Sequence, residues 1–176
     1  MVKRQSISID MDGVLANNKQ HYLDYYFNET GVQLKDEDIL GLPEGACLPD
    51  KGAVARYIES PHFFRTLPVS DDAQAVVFDL WQNYDIYIVS AAMEFPFGLR
   101  DKYDWLAEHF PFIGWQNIVF CGDKSIVHTD YLIDDHIKNL RTFTGKGLMF
   151  DSFHNVKETG FDRLMNWKEV STYFIG

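Results

Sequence analysis

The amino-acid sequence predicts an α/β protein with a doubly wound parallel sheet and a small helical cap inserted after the first strand. Three observations lead to this prediction. From residue 71 onward, apolar segments typical of strands alternate with helical segments, an order that produces parallel strands with right-handed crossovers. Several strand segments are nearly continuous apolar runs, as expected of strands covered on both faces. Polar residues follow four strands, at the edge where open α/β sheets bind ligands.

The composition indicates a globular protein with an excess of acidic residues. Of its 176 residues, 46% are hydrophobic and 15% aromatic, enough to bury the core of one domain with an insertion. The net charge of −10 argues against binding to nucleic-acid polymers or anionic membranes, which attract basic patches. Cys47 and Cys121 lack metal-type spacing and are expected to be buried, reduced thiols. With no signal peptide or membrane span recognised, the sequence predicts a cytoplasmic protein, either a monomer or a homodimer.

The first part of the chain contains one strand and then departs from the strand–helix alternation. The strand Ser6–Ile9 is followed by a helix predicted over 19–30, which Gly31 ends in the left-handed conformation. A loop over 35–52 and a short helix over 53–59 come next. Residues 17–70 are therefore predicted to form a helical cap on a core made of residues 1–16 and 71–176.

The second part of the chain supplies the remaining strands and helices. In the helix predicted over 98–110, one side carries Leu99, Tyr103, Leu106 and Phe110. The other elements predicted are a helix over 73–84, strands over 86–89, 118–120, 131–133 and 147–150, and helices over 137–142 and 167–174.

Two carboxylates, Asp10 and Asp12, directly follow the first strand, and Gly13 continues into a turn. Acids crowded in this way repel each other unless a cation or a shared proton compensates them. Metal-assisted phosphoryl transfer through an aspartyl phosphate uses such a pair. One aspartate attacks phosphorus, the other handles the proton of the leaving group, and a divalent ion neutralises the phosphate. The alternative interpretation of an isolated pair is a solvated turn.

Three later strands also end in polar residues, namely Ser90, Lys124 and the pair Asp134-Asp135. Each has a simple explanation when taken alone: a turn cap, a solvated lysine and the N-cap of the next helix. A single parallel sheet, however, would gather all of them at the edge that carries the first pair of acids. Capping alone does not account for their occurrence after successive strands.

The motifs resemble those of the haloacid dehalogenase-like phosphatases, and among these the 5'(3')-deoxyribonucleotidases. The resemblance rests on Asp-Met-Asp-Gly-Val-Leu-Ala at 10–16, on the strand that ends in Ser90, and on the segment 123–135. Three features resemble the nucleotidases: Phe-Phe-Arg-Thr-Leu-Pro at 63–68, Asp-Lys-Ser ten residues before Leu-Ile-Asp-Asp, and Leu-Met-Phe-Asp with Asn155 downstream. The resemblance covers nearly the whole chain. It implies Mg²⁺-dependent hydrolysis of nucleoside 5'(3')-monophosphates, in particular deoxyribonucleotides.

The resemblance implies a role for each of the acidic residues. Asp10 would be the nucleophile and a Mg²⁺ ligand. Asp12 would be the general acid and base, and would reach the metal through its backbone carbonyl. Asp135 would bind the metal directly, with Asp134 in a supporting role. Mg²⁺ suits such an all-oxygen site.

The resemblance also implies which residues surround the phosphate. Ser90 would hydrogen-bond a phosphate oxygen, next to Ala91, where relatives often carry a second hydroxyl. Lys124 would hold the nucleophile and the charge that develops on the phosphoryl group. Gly13 would let the backbone approach the phosphate closely.

The substrate pocket is expected to include Asn18, Phe63 and Phe64. Animal members of the family carry a base-contacting phenylalanine at the position of Asn18, so base and sugar preference are left open. The two phenylalanines lie between prolines and are predicted to form pocket walls, whereas most other aromatic residues of the insertion are expected to be core.

Three alternatives accompany this interpretation. A phosphatase of the same fold could act on another small phosphorylated metabolite. A phospho-accepting switch of the response-regulator type also combines a strand-end Asp, an acidic pair and a Lys, but its acidic pair ends the first strand, whereas here the pair comes last. A catalytically dead scaffold is disfavoured because every catalytic position is filled.

Overall fold

A six-stranded sheet with helices on both faces is the centre of the computed structural model, which describes residues 4–176. Residues 1–3, which begin the predicted core segment, lie outside the described residues. The strands are β1 (Ser6–Ile9), β2 (Asp85–Ser90), β3 (Ile118–Phe120), β4 (Tyr131–Asp134), β5 (Lys146–Phe150) and β6 (Asp162–Leu164). The helices are α1 (Asn18–Thr30), α2 (Asp36–Ile39), α3 (Ala53–Ile58), α4 (Ala73–Asn83), α5 (Leu99–His109), α6 (Ile137–Thr142) and α7 (Trp167–Phe174).

The strand order β3-β2-β1-β4-β5-β6 places the first strand in the middle of the sheet. All neighbouring strands in it run parallel. Ile9, the last residue of β1, pairs with Ile88 of β2 on one side and with Ile133 of β4 on the other. The carboxyl ends of β1, β2 and β4 therefore meet at one edge. The predicted parallel α/β fold is confirmed.

Apolar side chains cover both faces of the sheet, because successive residues of a strand point to opposite sides. Ile133 and Leu148 belong to the main hydrophobic core, whereas their neighbours Leu132 and Met149 belong to a second buried cluster with Leu140. Helices on both faces provide the surfaces that these strands bury against. This two-sided burial explains why the strand segments read as continuous apolar runs.

The predicted helical insertion after β1 is confirmed, and its helices α1 and α3 pack against each other. Gly31 ends α1 at φ 73°, with its N–H donated to the carbonyl of Phe27 at 2.8 Å. The segment predicted as a loop over 35–52 contains the short helix α2 and the 3-10 turn Glu44–Ala46. These elements are short, so their apolar periodicity is too brief to be recognised from sequence.

Two features of the second half of the chain differ from what the sequence predicts. Helix α5 buries Lys102, Trp105 and Leu106, whereas Tyr103, which was predicted on the same side as Leu106, is 40% exposed. Strand β6 was not predicted at all. It has three residues and pairs only with β5 at the edge of the sheet, which leaves too little apolar pattern to detect.

Cys47 and Cys121 are buried and unpaired, as predicted. Burial raises the pKa of both thiols. Across residues 4–176, none of the helices combines the length and apolar character that crossing a bilayer requires.

Candidate active site

The predicted strand-end residues meet where β1, β2 and β4 finish. The backbone N–H of Asp10 donates to the carbonyl of Ile133 at 2.9 Å, which fixes the end of β1 against β4. On the other side, the hydroxyl of Ser90 at the end of β2 donates to Asp12 Oδ2 at 3.1 Å. The parallel register therefore brings together side chains that lie far apart in the sequence.

Asp10 lies at the centre of this group and is 4% exposed. Its Oδ1 accepts the backbone N–H of Met11 at 2.7 Å and lies 2.7 Å from Lys124 Nζ. Burial raises the pKa of Asp10 to about 8, because the attraction of Lys124 is outweighed by burial together with the repulsion of nearby carboxylates. In the protein alone, Asp10 thus lacks part of the positive charge that its ionised form requires.

Lys124 begins the 3-10 turn Lys124–Ile126 that follows β3, and its side chain is buried. The preceding Asp123 fixes this turn by accepting the N–H of Ser125 at 2.8 Å. Lys124 Nζ lies 2.7 Å from both Asp10 Oδ1 and Asp134 Oδ2. Burial by itself would lower the pKa of Lys124, but the two carboxylates raise it above its usual range, so the ammonium stays charged.

The two acids at the end of β4 have different hydrogen bonds. Asp134 Oδ1 accepts the N–H of His136 at 2.8 Å and the amide of Asn139 at 3.0 Å, while Oδ2 faces Lys124. In Asp135, Oδ2 lies 3.0 Å from His154 Nε2, and the buried Oδ1 has no partner among the described residues. Asp135 therefore keeps one free oxygen, whereas both oxygens of Asp134 are engaged.

The carboxylates of Asp10, Asp134 and Asp135 form a candidate metal site. One oxygen of each lies within 4.8 Å of the others, and all three residues are buried. Lys124 forms ion pairs with Asp10 and Asp134, whereas Asp135 faces His154. The unpartnered Oδ1 of Asp135 and the raised pKa of Asp10 both fit a bound cation with a preference for oxygen ligands.

Asp12 faces a second buried lysine that the sequence analysis did not single out. Lys102 is 1% exposed and forms an ion pair with Asp12 Oδ2, the oxygen that also accepts the Ser90 hydroxyl. The other oxygen, Oδ1, is buried without a partner among residues 4–176. The helical spacing in the sequence indicates that Lys102 is buried, because it lies three and four residues before Trp105 and Leu106 on the buried side of α5.

Gly13 shapes the turn between the two aspartates and the insertion. Its φ is +77°, and a methyl group on it would lie 2.9 Å from Asp135 Cγ and closer still to Oδ2. The absent side chain thus leaves room for Asp135. Trp167, in helix α7, holds the same turn from outside by donating its indole N–H to the carbonyl of Val14 at 3.1 Å.

A cleft of about 360 Å³ opens above Asp10, Asp12 and Lys124. The core contributes Ala91, Phe95 and Lys102 to its walls, and the insertion contributes Asn18, Tyr22, Val54, Ile58 and Phe64. The predicted pocket residues Asn18 and Phe64 therefore lie at the cleft. A smaller cavity of about 250 Å³ is lined by Gly13, Asn18 and Asp135, among other residues.

Phe63 lies behind the wall of the cleft rather than on it. It is 1% exposed and packs among Tyr22, Tyr25 and Phe64, with ring centroids 5.9, 5.5 and 5.3 Å away. Phe64 lines the cleft, and Lys102 Nζ lies 4.1 Å from the centroid of its ring. The two phenylalanines predicted together as pocket walls thus occupy different positions.

A polar network joins the insertion to the end of β4. Glu44 accepts the hydroxyl of Tyr22 at 3.1 Å and lies 3.1 Å from His136 Nε2, and the His136 ring stacks on His154 with centroids 4.5 Å apart. Burial favours the neutral form of Glu44, yet His136 and His154 lower the pKa of Glu44 to about 2. Burial likewise opposes the charge of His136, but Glu44 and Asp135 raise the pKa of His136 to about 9.

Comparison with known proteins identifies the family of this chain. A family model described as 5' nucleotidase, deoxy (pyrimidine), cytosolic type C protein matches residues 4–175. The 5'(3')-deoxyribonucleotidase of Bacillus subtilis is 38% identical over 167 residues, covering 95% of this chain and 96% of that protein. A Staphylococcus epidermidis protein with a provisional assignment to the same activity is 44% identical over 172 residues, covering 97% of this chain and 96% of its own length.

A solved structure shows the fold independently of sequence. The haloacid dehalogenase-like family hydrolase of Streptococcus pneumoniae superposes with a TM-score of 0.63 at 16% identity, covering 99% of this chain and 100% of that one. The fold and the family matches together confirm the resemblance that the motifs indicated. The chain belongs to the family of the 5' nucleotidase, deoxy (pyrimidine), cytosolic type C proteins.

Proposed function

We propose that this protein is a Mg²⁺-dependent phosphomonoesterase that hydrolyses deoxyribonucleoside 5'(3')-monophosphates to nucleoside and phosphate. The observation that carries the proposal is the pair Asp10 and Asp12 at the end of β1, each in an ion pair with its own buried lysine. Family membership supplies the substrate class, because the Bacillus subtilis relative carries the name of that activity. The fold alone would not identify the substrate class, since this fold hosts many activities.

Asp10 is proposed as the nucleophile that takes the phosphoryl group. A carboxylate oxygen of Asp10 forms a bond to phosphorus while the bond from phosphorus to the ester oxygen breaks, giving an aspartyl phosphate. Lys124, fixed between Asp10 and Asp134, supports this role because a preorganised positive charge in a buried site stabilises developing negative charge. Ser90, Ala91 and Lys124 are proposed to surround the phosphate.

Asp12 is proposed as the general acid and base. It gives a proton to the leaving ester oxygen and then takes one from the water that hydrolyses the aspartyl phosphate. Its position supports this assignment, because Asp12 lines the cleft beside Asp10 and 26% of its side chain is exposed.

Asp10 and Asp135 are proposed to hold Mg²⁺ together with the backbone carbonyl of Asp12, with Asp134 in a supporting role. The free Oδ1 of Asp135 and the fully engaged oxygens of Asp134 support this division. When bound, the ion would neutralise the phosphate and the crowded carboxylates. An all-oxygen donor set favours Mg²⁺ over the softer metals that imidazole and thiolate select.

Residues 17–70 are proposed to act as the cap that selects the substrate over a core of residues 1–16 and 71–176. The cleft volume of about 360 Å³ lies in the range of small-molecule sites. Asn18 lines the cleft together with Tyr22 and Phe64 of the same segment, which supports a role of this segment in substrate contact. We place the activity in the cytoplasm, since the family description is cytosolic. The oligomeric state, a monomer or a homodimer, stays a prediction.

A phosphate-release screen of the purified protein with Mg²⁺ tests this proposal. Deoxyribonucleoside monophosphates should be hydrolysed faster than ribonucleotides and sugar phosphates. Faster release from a sugar phosphate would instead identify a phosphatase of another metabolite. A stable phosphorylated protein without turnover would identify a phospho-accepting switch.

Acid-quenched mass spectrometry tests the two aspartates separately. With an activated ester such as p-nitrophenyl phosphate, Asp12→Asn should form the phosphoenzyme and then stall, because water lacks its base. Asp10→Asn should show neither adduct nor turnover. Asp79→Asn, at an exposed position of α4, controls for the loss of a carboxylate. An adduct on the Asp10 variant would invert the assignment.

A further inference from the structure

We infer that Lys102 is a positioning residue that fixes the carboxylate of Asp12 beside Asp10, an inference that rests on the proposed function. Lys102 lies on the core helix α5, and Asp12 follows β1, 90 residues earlier. The catalytic family motifs quoted above do not include this lysine. Its side chain nevertheless contacts the residue on which proton transfer is proposed to depend.

The burial of Lys102 indicates a specific partner. A lysine that is 1% exposed is rare in proteins unless its ammonium is paired, because burying an isolated charge costs several kcal/mol. Asp12 Oδ2 supplies the pairing charge. The partnership is asymmetric, since 26% of the Asp12 side chain stays exposed toward the cleft while Lys102 is enclosed. Lys102 is therefore held inside the protein, whereas Asp12 can be reached from the cleft.

An aromatic ring holds the ammonium from the side of the insertion. Lys102 Nζ lies 4.1 Å from the centroid of Phe64, within the range of a cation–π contact. Gly98, directly before α5, lets this ring lie close, because a methyl group there would be 3.2 Å from Phe64 Cγ and nearer to Cδ2. The insertion thus positions Lys102 as well as lining the cleft, which links cap placement to the geometry of Asp12.

The hydrogen bonds on Asp12 distinguish its two oxygens. Oδ2 faces the ammonium of Lys102 and the hydroxyl of Ser90, so both of its lone pairs have donors. Oδ1 is buried and has no partner among the described residues. Lys102 and Ser90 together therefore fix the orientation of the Asp12 carboxylate through Oδ2.

Both chemical steps depend on this orientation of Asp12. The proton of Asp12 moves to the ester oxygen as the bond from phosphorus to that oxygen breaks and the carboxylate of Asp10 bonds to phosphorus. Asp12 then accepts a proton from water as the water oxygen bonds to phosphorus and the bond from phosphorus to Asp10 breaks. Each proton lost by Asp12 in the first step is regained in the second, and Lys102 keeps its own throughout.

Single-turnover kinetics of Lys102→Met distinguish positioning from phosphate binding or simple packing. The two substrates are a deoxyribonucleoside 5'-monophosphate, whose leaving alkoxide needs a proton, and p-nitrophenyl phosphate, whose leaving group does not. Release of nucleoside in the first turnover should fall by about 10²-fold, a typical contribution of general acid catalysis. Release of nitrophenolate in the first turnover should fall by less than about fivefold on the same reasoning.

Two further variants control the comparison. Arg100→Met, on the same helix with a side chain that is 81% exposed, removes a positive charge outside the site and should leave both rates unchanged. Lys102→Arg keeps the charge but extends the donor, so it should partly restore nucleoside release. If the Met variant fails to fold in a thermal melt, the Arg variant carries the same comparison, and nucleoside release must again be the more affected rate.

The outcomes separate this inference from the proposed function. Equal losses on both substrates, or no loss on either, would overturn the positioning role while the wild-type enzyme still hydrolyses nucleotides. A wild-type protein that hydrolyses neither ester would overturn the proposed function and this inference with it. A selective loss of nucleoside release, restored in part by arginine, supports the inference.

Discussion

Gly13→Ala is the substitution whose effect the structure defines most closely. Gly13 has φ +77° and Gly31 has φ +73°, so alanine at either position adopts a left-handed conformation that costs about 1–2 kcal/mol. At Gly31 a methyl group would meet nothing within 4 Å, whereas at Gly13 it would lie 2.9 Å from Asp135 Cγ. Gly31→Ala is therefore a control for the backbone strain alone.

The collision at Gly13 must be absorbed by Asp135 or by the turn itself. Asp135 has little freedom, because it is 1% exposed, contacts His154, and has its carbonyl bound by Asn155 at 2.8 Å. Overpacking of this kind adds about 1–3 kcal/mol to the destabilisation. We expect Gly13→Ala to lose about 2–5 kcal/mol of unfolding free energy and Gly31→Ala about 1–2 kcal/mol.

Activity should separate the two variants more strongly than stability does. A displacement of Asp135 by about 1 Å should cost about 10²-fold in turnover, since catalytic groups tolerate little misplacement. Urea titrations give the unfolding free energies, and phosphate release over a Mg²⁺ titration gives turnover and half-saturation. Turnover of Gly13→Ala within threefold of wild type, at an unchanged Mg²⁺ half-saturation, would refute the reasoning. Equal losses of turnover in both variants would refute it as well.

Three further predictions concern the metal, the lysine of the phosphate site and the cleft wall. Treatment with EDTA should abolish turnover. Because the pKa of Asp10 is raised to about 8, Mg²⁺ must displace a proton below that pH. The apparent affinity for Mg²⁺ should therefore rise by up to about tenfold per pH unit from about pH 6 and level off above about pH 8. Mg²⁺ titrations followed by thermal shift measure this affinity, and an affinity that does not rise with pH would contradict the prediction. Lys124→Ala should lower turnover by about 10²–10³-fold, and a fall below tenfold would remove Lys124 from the reaction. Phe64→Ala should weaken nucleotide turnover more than p-nitrophenyl phosphate turnover, with a smaller difference for Phe63→Ala; equal losses on both substrates would mean that the rings only hold the insertion together.

The sheet and its polar edge were predictable because they depend on local pattern and general topology. The strands before Ser90, Lys124 and Asp134 contain apolar runs, and β1 alternates isoleucine with small serines. Parallel connection then gathers the strand ends without knowledge of any contact. The strand order places β1 between β2 and β4, so Asp10 lies near both Ser90 and Asp134. The sequence pattern thus predicted which residues meet at this edge.

Lys102 and Glu44 were not predicted, because their roles arise only from tertiary contacts. A lysine on a helix is ordinarily solvated, and Lys102 is buried through Asp12 and Phe64, which belong to other elements. Glu44 lies in a segment that was predicted as a loop, and its partners Tyr22 and His136 come from two distant segments. No short-range pattern encodes such pairings.

The hydrogen bond from the Trp167 indole to the carbonyl of Val14 bears on how an active molecule arises during synthesis. It spans 153 residues, so the turn that carries Gly13 leaves the ribosome long before the side chain that holds it in place. Strand β1 also lacks one of its neighbours until late in synthesis, since β4 begins at Tyr131. Such distant contacts form late in folding. We expect a nascent chain without α7 to be inactive and to bind chaperones through the uncovered β1, so that catalytic competence is acquired only when translation has passed Trp167.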